Sequence, residues 1–210
     1  MEQRVLDVRD VEKPEMNPEL RIEALETPRL ILRPYTMDDA ERLTELLQDP
    51  EIHRWTASIP FPYTIDHARE FISQRVSDES NDSSFVWAIT GRDDGQLMGA
   101  MGLHDVLSDQ GRAELGYWLG ADYRGNGYAT EAARRVISWC FEVGEFHRIQ
   151  ATHFPGNQGS AGVMRNIGMQ EEGLLRGYGF KNGEHQDLYL RAILRDDPTW
   201  ISTDDQLGNS

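Results

Sequence analysis

The sequence predicts a mixed α/β (α+β) fold, in which roughly seven strands form one sheet and about four helices flank it. Three observations carry this prediction. Several short segments alternate in polarity, longer segments repeat apolar residues with a helical period, and a glycine-rich turn over 124–127 joins a strand directly to a helix. Along the chain these signals give the order β-α-α-β-β-β-α-β-α-β-β.

The first half of the chain contains a strand, two helices and a hairpin. Pro34 closes the first strand, and Thr64 is a good N-terminal cap for the second helix. Asp94-Gly95 is a strong signal for a hairpin turn between two strands. The predicted elements are strand 29–33, a helix capped by Asp38 or Asp39, the helix after Thr64, strand 85–90 and strand 97–106.

The second half contains the longest amphipathic helix. Its apolar residues recur at i, i+3, i+4, i+7 and i+8. They are Ala129, Ala132, Ala133, Val136, Ile137, Cys140 and Phe141. Gly168 stands where a glycine that ends a helix belongs. The predicted elements are strand 112–119, helix 127–143, strand 148–154, a short helix that begins at Asn157 or Ser160, and strands 169–176 and 185–195.

Length and composition predict one domain with two tails. The chain has 210 residues, of which 39% are hydrophobic, enough for a sizeable core. We expect a charged extension over residues 1–26, the domain over 27–196 and a tail over 197–210. No apolar run is long enough to cross a membrane and no secretion signal is present, so we expect a cytoplasmic protein. One cysteine, Cys140, allows no intramolecular disulfide.

The charge balance limits the classes of partner. The chain carries 36 acidic and 21 basic residues, a net charge of −15. This excess argues against nucleic acids and anionic membranes, both of which attract basic proteins. It favours cationic partners such as amines, although solubility alone also explains it. The six histidines show no spacing typical of a metal site, so we expect no metal.

The glycine-rich turn is the strongest candidate for a binding site. Gly125 and Gly127 allow tight geometry and close approach of a ligand, and the helix that follows offers free N–H groups and the positive end of its dipole. Arg124 adds a permanent charge. The segment fits neither the P-loop pattern nor the dinucleotide fingerprint. An ordinary strand-to-helix turn is the alternative interpretation.

Residues 123–129, Tyr-Arg-Gly-Asn-Gly-Tyr-Ala, resemble the pyrophosphate-binding turn of the GCN5-related N-acetyltransferases (GNAT). Further segments resemble the RimJ/RimL type, which acetylates the N-termini of ribosomal proteins. These segments are 26–34, 59–64, 116–119, 157–160 and 168–169. Gly159 and Gly162 depart from the family's pattern and add flexible positions to the short helix. The resemblance implies the GNAT fold, with a central, mixed, mostly antiparallel sheet.

The same resemblance implies acetyl-coenzyme A as co-substrate and direct attack by an amine on the thioester, without an acyl-enzyme. The turn would hold the pyrophosphate, the backbone of residues 117–119 would bind the pantetheine arm and polarise the thioester carbonyl, and Asn157 would bind the pantetheine amides. The implied cofactor-binding residues are Tyr117, Trp118, Leu119, Arg124, Gly125, Asn126, Gly127, Tyr128, Ala129 and Asn157.

Two residues are candidates for catalysis. Glu114 shares one side of its strand with Gly116 and Trp118, and we interpret it as the general base, acting through water. The alternative is a carboxylate without catalytic duty. Ser160 matches the position that the family places near the sulfur, so the resemblance implies a proton donor there. Helix capping is the alternative for Asn157 and Ser160. Other candidate donors are Tyr178 and Tyr189, and Trp55 and Trp87 are candidates for an acceptor pocket or for the core.

The leading hypothesis is an acetyltransferase for a peptide or ribosomal-protein N-terminus. A carboxylate of pKa about 4.3 is a poor match for a lysine of about 10.4 and a better one for an α-amine of about 7.7. One alternative is an acetyltransferase for a small amine, such as an aminoglycoside, a polyamine or an amino-acid-like compound. Another is a non-catalytic acyl-CoA sensor. The sequence leaves the oligomeric state open, with a homodimer among the options.

Overall fold

A computed structural model describes residues 21–77, 84–198 and 200 of the chain. Within these residues the strands are β1 (Leu25–Glu26), β2 (Leu30–Arg33), β3 (Phe85–Gly91), β4 (Leu97–Leu107), β5 (Arg112–Leu119), β6 (Arg148–His153), β7 (Gln170–Lys181) and β8 (Glu184–Leu194). The α-helices are α1 (Ala40–Leu46), α2 (Pro50–Trp55), α3 (Ile65–Ser77), α4 (Tyr128–Glu142) and α5 (Gln158–Asn166). Short 3-10 helices lie at Met37–Asp39, Ser108–Gln110 and Ala121–Tyr123.

The strands form one sheet in the order β1-β2-β3-β4-β5-β6-β8-β7. All neighbours pair antiparallel except β5 and β6, which run parallel because α4 connects them. The predicted mixed, mostly antiparallel sheet is therefore confirmed. The described residues contain one strand and one α-helix more than the sequence predicts. These are β1, with two residues, and α2, with six, and both are too short for periodicity to reveal them.

Helices cover both faces of the sheet. On one face the largest buried side chains, Trp87, Trp139 and Phe146, join α4 to the strands and are 0% exposed. On the other face α1 and α3 pack on small strand residues such as Ala88 and Ala100. Because the sheet is buried on both sides, β3 and the first part of β4 are continuously buried.

The strands β5 and β6 separate halfway along their length. Their register covers only three pairs, from Arg112↔Arg148 to Glu114↔Gln150. Beyond Glu114, residues 115–119 of β5 pair with β4 alone, so their other backbone edge is without a strand partner among the described residues. The separation opens a gap in the sheet at its centre, and the glycine turn lies at the end of β5.

The folded part extends past the predicted domain boundaries at both ends. Leu25, in the predicted extension, is fully buried, and the backbone carbonyl of Glu23 accepts a hydrogen bond of 2.9 Å from the indole of Trp87. In the predicted tail, Trp200 packs edge-on against Phe141 at 5.1 Å between ring centres. Residues 1–20, 199 and 201–210 of those predicted segments lie outside the described residues. Within the described ranges, no helix has the length and apolar character needed to cross a membrane.

Candidate active site

A cleft of about 1130 Å³ runs from the glycine turn along β5 to Glu114 and the start of α5. The gap between β5 and β6 forms its centre. Eleven of the twelve residues predicted for the site line this cleft. They are Glu114, Tyr117, Trp118, Leu119, Arg124, Gly125, Gly127, Tyr128, Ala129, Asn157 and Ser160. The structure therefore brings together residues that are up to 46 positions apart in the chain, from Glu114 to Ser160.

The glycine turn presents backbone donors to the cleft. Gly125 and Gly127 have φ angles of 76° and 80°, in the left-handed region where glycine carries no steric penalty. The first hydrogen bond of α4 runs from the N–H of Glu131 to the carbonyl of Gly127. The N–H groups of residues 128–130 precede this bond and have no partner within the helix. Together with the helix dipole, these groups can interact favourably with an anion.

Asn126 is the one predicted residue that the structure does not bring into the cleft. Its side-chain amide donates to the carbonyls of Asp122 and Arg124, at 3.5 and 3.1 Å. Its own carbonyl accepts a hydrogen bond of 3.0 Å from Arg29. The side chain of Asn126 thus folds back onto the turn and supports its shape.

Arg124 lines the cleft, yet its guanidinium is already bound to protein groups. Nε donates to the carbonyl of Leu119 at 2.9 Å, and Nη2 forms an ion pair of 2.6 Å with Asp49. Asp49 is also the N-terminal cap of α2, because its other carboxylate oxygen accepts from the N–H of Glu51 at 2.9 Å. Arg124 therefore connects the glycine turn to the helix on the opposite side of the cleft.

A second arginine supports the turn from β2. Glu131 in the first turn of α4 accepts hydrogen bonds from the Thr27 hydroxyl, at 2.7 Å, and from the Nε of Arg29, at 2.7 Å. The Arg29 guanidinium also lies 4.4 Å from the centre of the Tyr128 ring. Burial raises the pKa of Glu131, but the hydrogen bonds from Thr27 and Arg29 outweigh this effect and lower it overall. The carboxylate therefore stays ionised and fixes the start of α4.

Glu114 lies at the last paired position of β5, where the two strands begin to separate. One carboxylate oxygen accepts a hydrogen bond of 2.8 Å from the Thr152 hydroxyl, and the other accepts one of 3.3 Å from the Gln150 amide. Both partners are on β6 and face the same side of the sheet as Glu114. The half-buried carboxylate is thus oriented by the neighbouring strand and borders the cleft.

Ser160 is paired with Tyr117 across the cleft wall. The Tyr117 hydroxyl donates to the Ser160 carbonyl at 3.1 Å and lies 3.0 Å from its Oγ. The carbonyl can only accept, so the Ser160 hydroxyl is free to donate to the tyrosine oxygen or to a ligand. Asn157 caps α5 by accepting from the Ser160 N–H at 3.1 Å, which confirms the capping alternative for its side-chain oxygen.

This hydroxyl pair suits hydrogen bonding better than proton release. Burial raises the pKa of Tyr117 to about 12. A thiol titrates at about 8.5, so transfer of the tyrosine proton to a thiolate would be uphill by roughly 5 kcal/mol. The pair can therefore stabilise a leaving thiolate by donating a hydrogen bond, while the thiolate takes its proton from solvent.

The structure shows which of the further candidate tyrosines and tryptophans line the cleft and which do not. Tyr178, 60% exposed, and Tyr189, which stacks on His153, do not line the cleft. Trp87 belongs to the core, whereas Trp55 lines the cleft and donates its indole N–H to Glu51 at 3.1 Å. Among the described residues, no group of three or more histidine, cysteine and acidic side chains is arranged to hold a metal ion.

Sequence reasoning missed the residues that position the predicted ones. Thr152 and Gln150 alternate along the strand that follows α4, and a parallel neighbour for β5 would have placed them beside Glu114. Arg29 lies within the segment that resembles the family's opening. Asp49 and His104, which faces Glu114 from β4, carry no signal in the sequence, because only the tertiary fold brings them to the cleft.

Comparison with known proteins agrees with this geometry. Residues 29–170 match the family described as acetyltransferase (GNAT) domain. An uncharacterized N-acetyltransferase of Bacillus licheniformis, p20, is 32% identical over 175 residues, which are 83% of this chain and 97% of p20. YdaF of Bacillus subtilis, provisionally a ribosomal N-acetyltransferase, is 33% identical over 159 residues, which are 75% of this chain and 86% of YdaF.

A solved structure extends the likeness to the fold. RimJ of Mycobacterium smegmatis, in complex with CoA-disulfide, superposes with a TM-score of 0.79 at 24% identity. The match covers 92% of this chain and 96% of that one. At this identity the likeness concerns the fold, and the predicted acetyltransferase fold is confirmed. The predicted family and the prediction of an enzyme are confirmed as well: this chain belongs to the GNAT family of N-acetyltransferases.

Proposed function

We propose that the protein transfers the acetyl group of acetyl-coenzyme A directly to the α-amine of a peptide N-terminus, such as that of a ribosomal protein. Ribosomal substrates would place the protein in the cytoplasm. The similarity to YdaF and to the RimJ fold supports this substrate class. The RimJ structure holds a coenzyme A derivative, which supports the co-substrate.

The observation that carries the proposal is the continuity of the cleft. It connects the N-terminal end of α4 to Glu114 without interruption, past the unpaired edge of β5. A pyrophosphate at the free N–H groups of residues 128–130 would let the pantetheine arm follow this edge, whose backbone groups suit its amides. The thioester would then reach the region between Gly116 and Ser160, beside the carboxylate.

The acceptor must be a neutral amine when it attacks. At pH 7 an α-amine of pKa about 7.7 is roughly 17% neutral, whereas a lysine of about 10.4 is roughly 0.04% neutral. The difference of about 400-fold corresponds to roughly 3.6 kcal/mol that the site would have to supply for lysine. A site that offers the carboxylate of Glu114, held by Thr152 and Gln150 at the junction of β5 and β6, favours the α-amine over lysine.

A small cationic amine is the second candidate. The charged side chains of the cleft are Glu51, Asp105, Glu114 and Arg124, and Arg124 is neutralised by Asp49. The remaining acidic groups favour an acceptor with a second positive charge, such as a polyamine.

Release of coenzyme A from acetyl-coenzyme A tests both candidates. We expect the highest kcat/KM with peptides whose α-amine is free. The matched control is the same peptide with its N-terminus blocked and an internal lysine, for which kcat/KM should be at least 100-fold lower. Preference for polyamines over all peptides would establish the second candidate. Tight binding of acetyl-coenzyme A without turnover across the panel would contradict the proposal.

A further inference from the structure

His104 lies on β4, next to the strand that carries Glu114, and lines the same end of the cleft as Glu114. In the register of β4 and β5, His104 stands directly opposite Glu114, and Gly102 stands opposite Gly116. Residues directly opposite or two apart share a face of the sheet, so all four lie on one side. All four also line the cleft.

The imidazole ring of His104 lies above two glycines, Gly102 and Gly116. A Cβ placed at Gly116 would come within 3.1 Å of the ring's Cδ2 and 3.2 Å of its Nε2. One placed at Gly102 would come within 3.3 Å of Nε2. The ring therefore leans from the Glu114 position toward Gly116, which lies in the part of β5 without a partner in β6. Glycine at both positions leaves the space that the ring occupies.

A bulge in β4 sets this orientation. The pairing jumps from His104↔Glu114 to Leu107↔Arg112, so that β4 has one residue more than β5. Asp105, inside the bulge, has a φ of 46°, a left-handed conformation that costs free energy for a residue with a side chain. Bulges next to active sites re-aim side chains, and strain of this kind collects at functional sites.

Glu114 and His104 differ in the hydrogen bonds that they already make, and so in their capacity to accept a proton. Both oxygens of Glu114 already accept hydrogen bonds, from Thr152 and Gln150, and these bonds fix the carboxylate in place. Neither ring nitrogen of His104 is engaged in a hydrogen bond with a residue that the structure describes. His104 is an exposed residue, which leaves a path for a proton to solvent.

The charges around the ring leave it neutral at pH 7. Desolvation by the surrounding protein lowers the pKa of His104, and the positive charge of Arg75 on α3 acts in the same direction. Asp105 on β4 and Glu114 on β5 raise it, but the overall shift is downward. An uncharged imidazole can act as a base, and its basicity is closer to that of an α-amine than a carboxylate's.

We propose that His104 is the proton acceptor of the acetyl transfer and that Glu114 orients the incoming amine. This inference rests on the proposed function, because it requires an amine acceptor. The amine nitrogen bonds to the thioester carbon, the carbonyl electron pair moves to oxygen and returns, and the carbon–sulfur bond breaks with its electron pair on sulfur. The proton lost by nitrogen goes to the Nε2 of His104 and then to water on the exposed side.

Replacement of the ring with chemical rescue tests this role. His104→Ala leaves a space above Gly102 and Gly116, and we expect kcat/KM to fall 10²- to 10³-fold. Added imidazole should restore activity at least tenfold, in proportion to its neutral form as the pH changes. The matched control is His147→Ala, an exposed histidine that does not line the cleft; its activity should stay within twofold of wild type, without a response to imidazole.

A second variant moves the ring without removing it. Gly116→Ala places a methyl group against the imidazole, and we expect a loss of at least tenfold in kcat at a wild-type melting temperature. His104→Ala with wild-type kcat/KM would overturn the inference, as would an inactive but folded His104→Ala that imidazole does not rescue. If the wild-type protein acetylates no amine, the proposed function fails and the inference with it; wild-type turnover without a His104 effect overturns the inference alone.

Discussion

Asp49 connects the two sides of the cleft through its two carboxylate oxygens. One caps α2 and the other binds Arg124, which belongs to the glycine turn. The sequence predicts Arg124 as a cofactor-binding residue that adds a permanent charge to the glycine turn. In the structure its guanidinium binds the carbonyl of Leu119 and the carboxylate of Asp49. Arg124 can therefore contribute to the binding of acetyl-coenzyme A in two ways: by supporting the shape of the turn, and by attracting the phosphate groups with its positive charge.

Two variants separate these contributions. Arg124→Ala removes both, and we expect the Kd for acetyl-coenzyme A to rise at least tenfold, with less than about 1 kcal/mol lost from folding because the ion pair is partly exposed. Asp49→Asn frees the guanidinium but keeps an oxygen that caps α2. If Arg124 mainly supports the turn, Asp49→Asn raises Kd as well; if it mainly contacts phosphate, Kd stays unchanged or falls. Titration calorimetry gives both values, and an unchanged Kd for Arg124→Ala would refute either role.

Two glycines of the helices that border the cleft, Gly127 and Gly162, differ in backbone conformation. Gly127 starts α4 with a φ of 80°, a conformation that costs an L-residue about 1–2 kcal/mol. Gly162 lies inside α5, where its φ is ordinary for a helix and no atom beyond its neighbours is within 4 Å of an added Cβ. Glycine is therefore required at the first position and is a source of unneeded flexibility at the second.

Alanine at these two positions should have opposite effects on folding. We expect Gly127→Ala to lower the free energy of unfolding by about 1–2 kcal/mol and to weaken acetyl-coenzyme A binding, because the N–H groups at the start of α4 move. Gly162→Ala should raise the free energy of unfolding by about 0.4–1 kcal/mol. Urea unfolding of both variants measures these changes. Equal effects in the two variants would show that the turn does not need its left-handed glycine.

Across the chain as a whole, buried tyrosines make stability sensitive to alkaline pH. Burial raises the pKa of Tyr63 and of Tyr117 to about 12, and it raises that of Tyr35. In the unfolded chain tyrosine titrates near 10. Above pH 10 the unfolded state therefore loses protons that the folded state retains, and stability that is complete below pH 10 is lost progressively toward pH 12.

We expect the free energy of unfolding to fall above pH 10 by up to about 1.4 kcal/mol per pH unit for each such tyrosine. Urea unfolding between pH 8 and pH 11 measures the slope. Tyr63→Phe should reduce it by one such contribution, whereas Tyr178→Phe, a change at a side chain that is 60% exposed, should leave it unchanged. A flat profile in the wild-type protein would contradict the burial of these phenols.

Local patterns were sufficient for most of the fold. The hairpin at Asp94-Gly95, the amphipathic period of α4 and the cap at Asn157 each depend on residues close in sequence, and the structure has all three. The sequence did not predict the two-residue β1 or the six-residue α2, because the residues that pair with or pack against them are distant in sequence. In the site, too, short motifs predicted the glycine turn and Ser160. The side chain of Asn126, however, points away from the cleft because its amide bonds to the carbonyls of Asp122 and Arg124.

The sequence by itself determined the order of the longer elements, the glycine turn at the start of α4 and the family, because each is written in periodicity or in a contiguous motif. Only the tertiary structure decided what surrounds Glu114. Thr152 and Gln150 reach it through parallel pairing, and His104 reaches it through a bulged antiparallel strand. Register and bulges arise from the packing of the whole sheet, so no local pattern encodes which side chains meet at the gap.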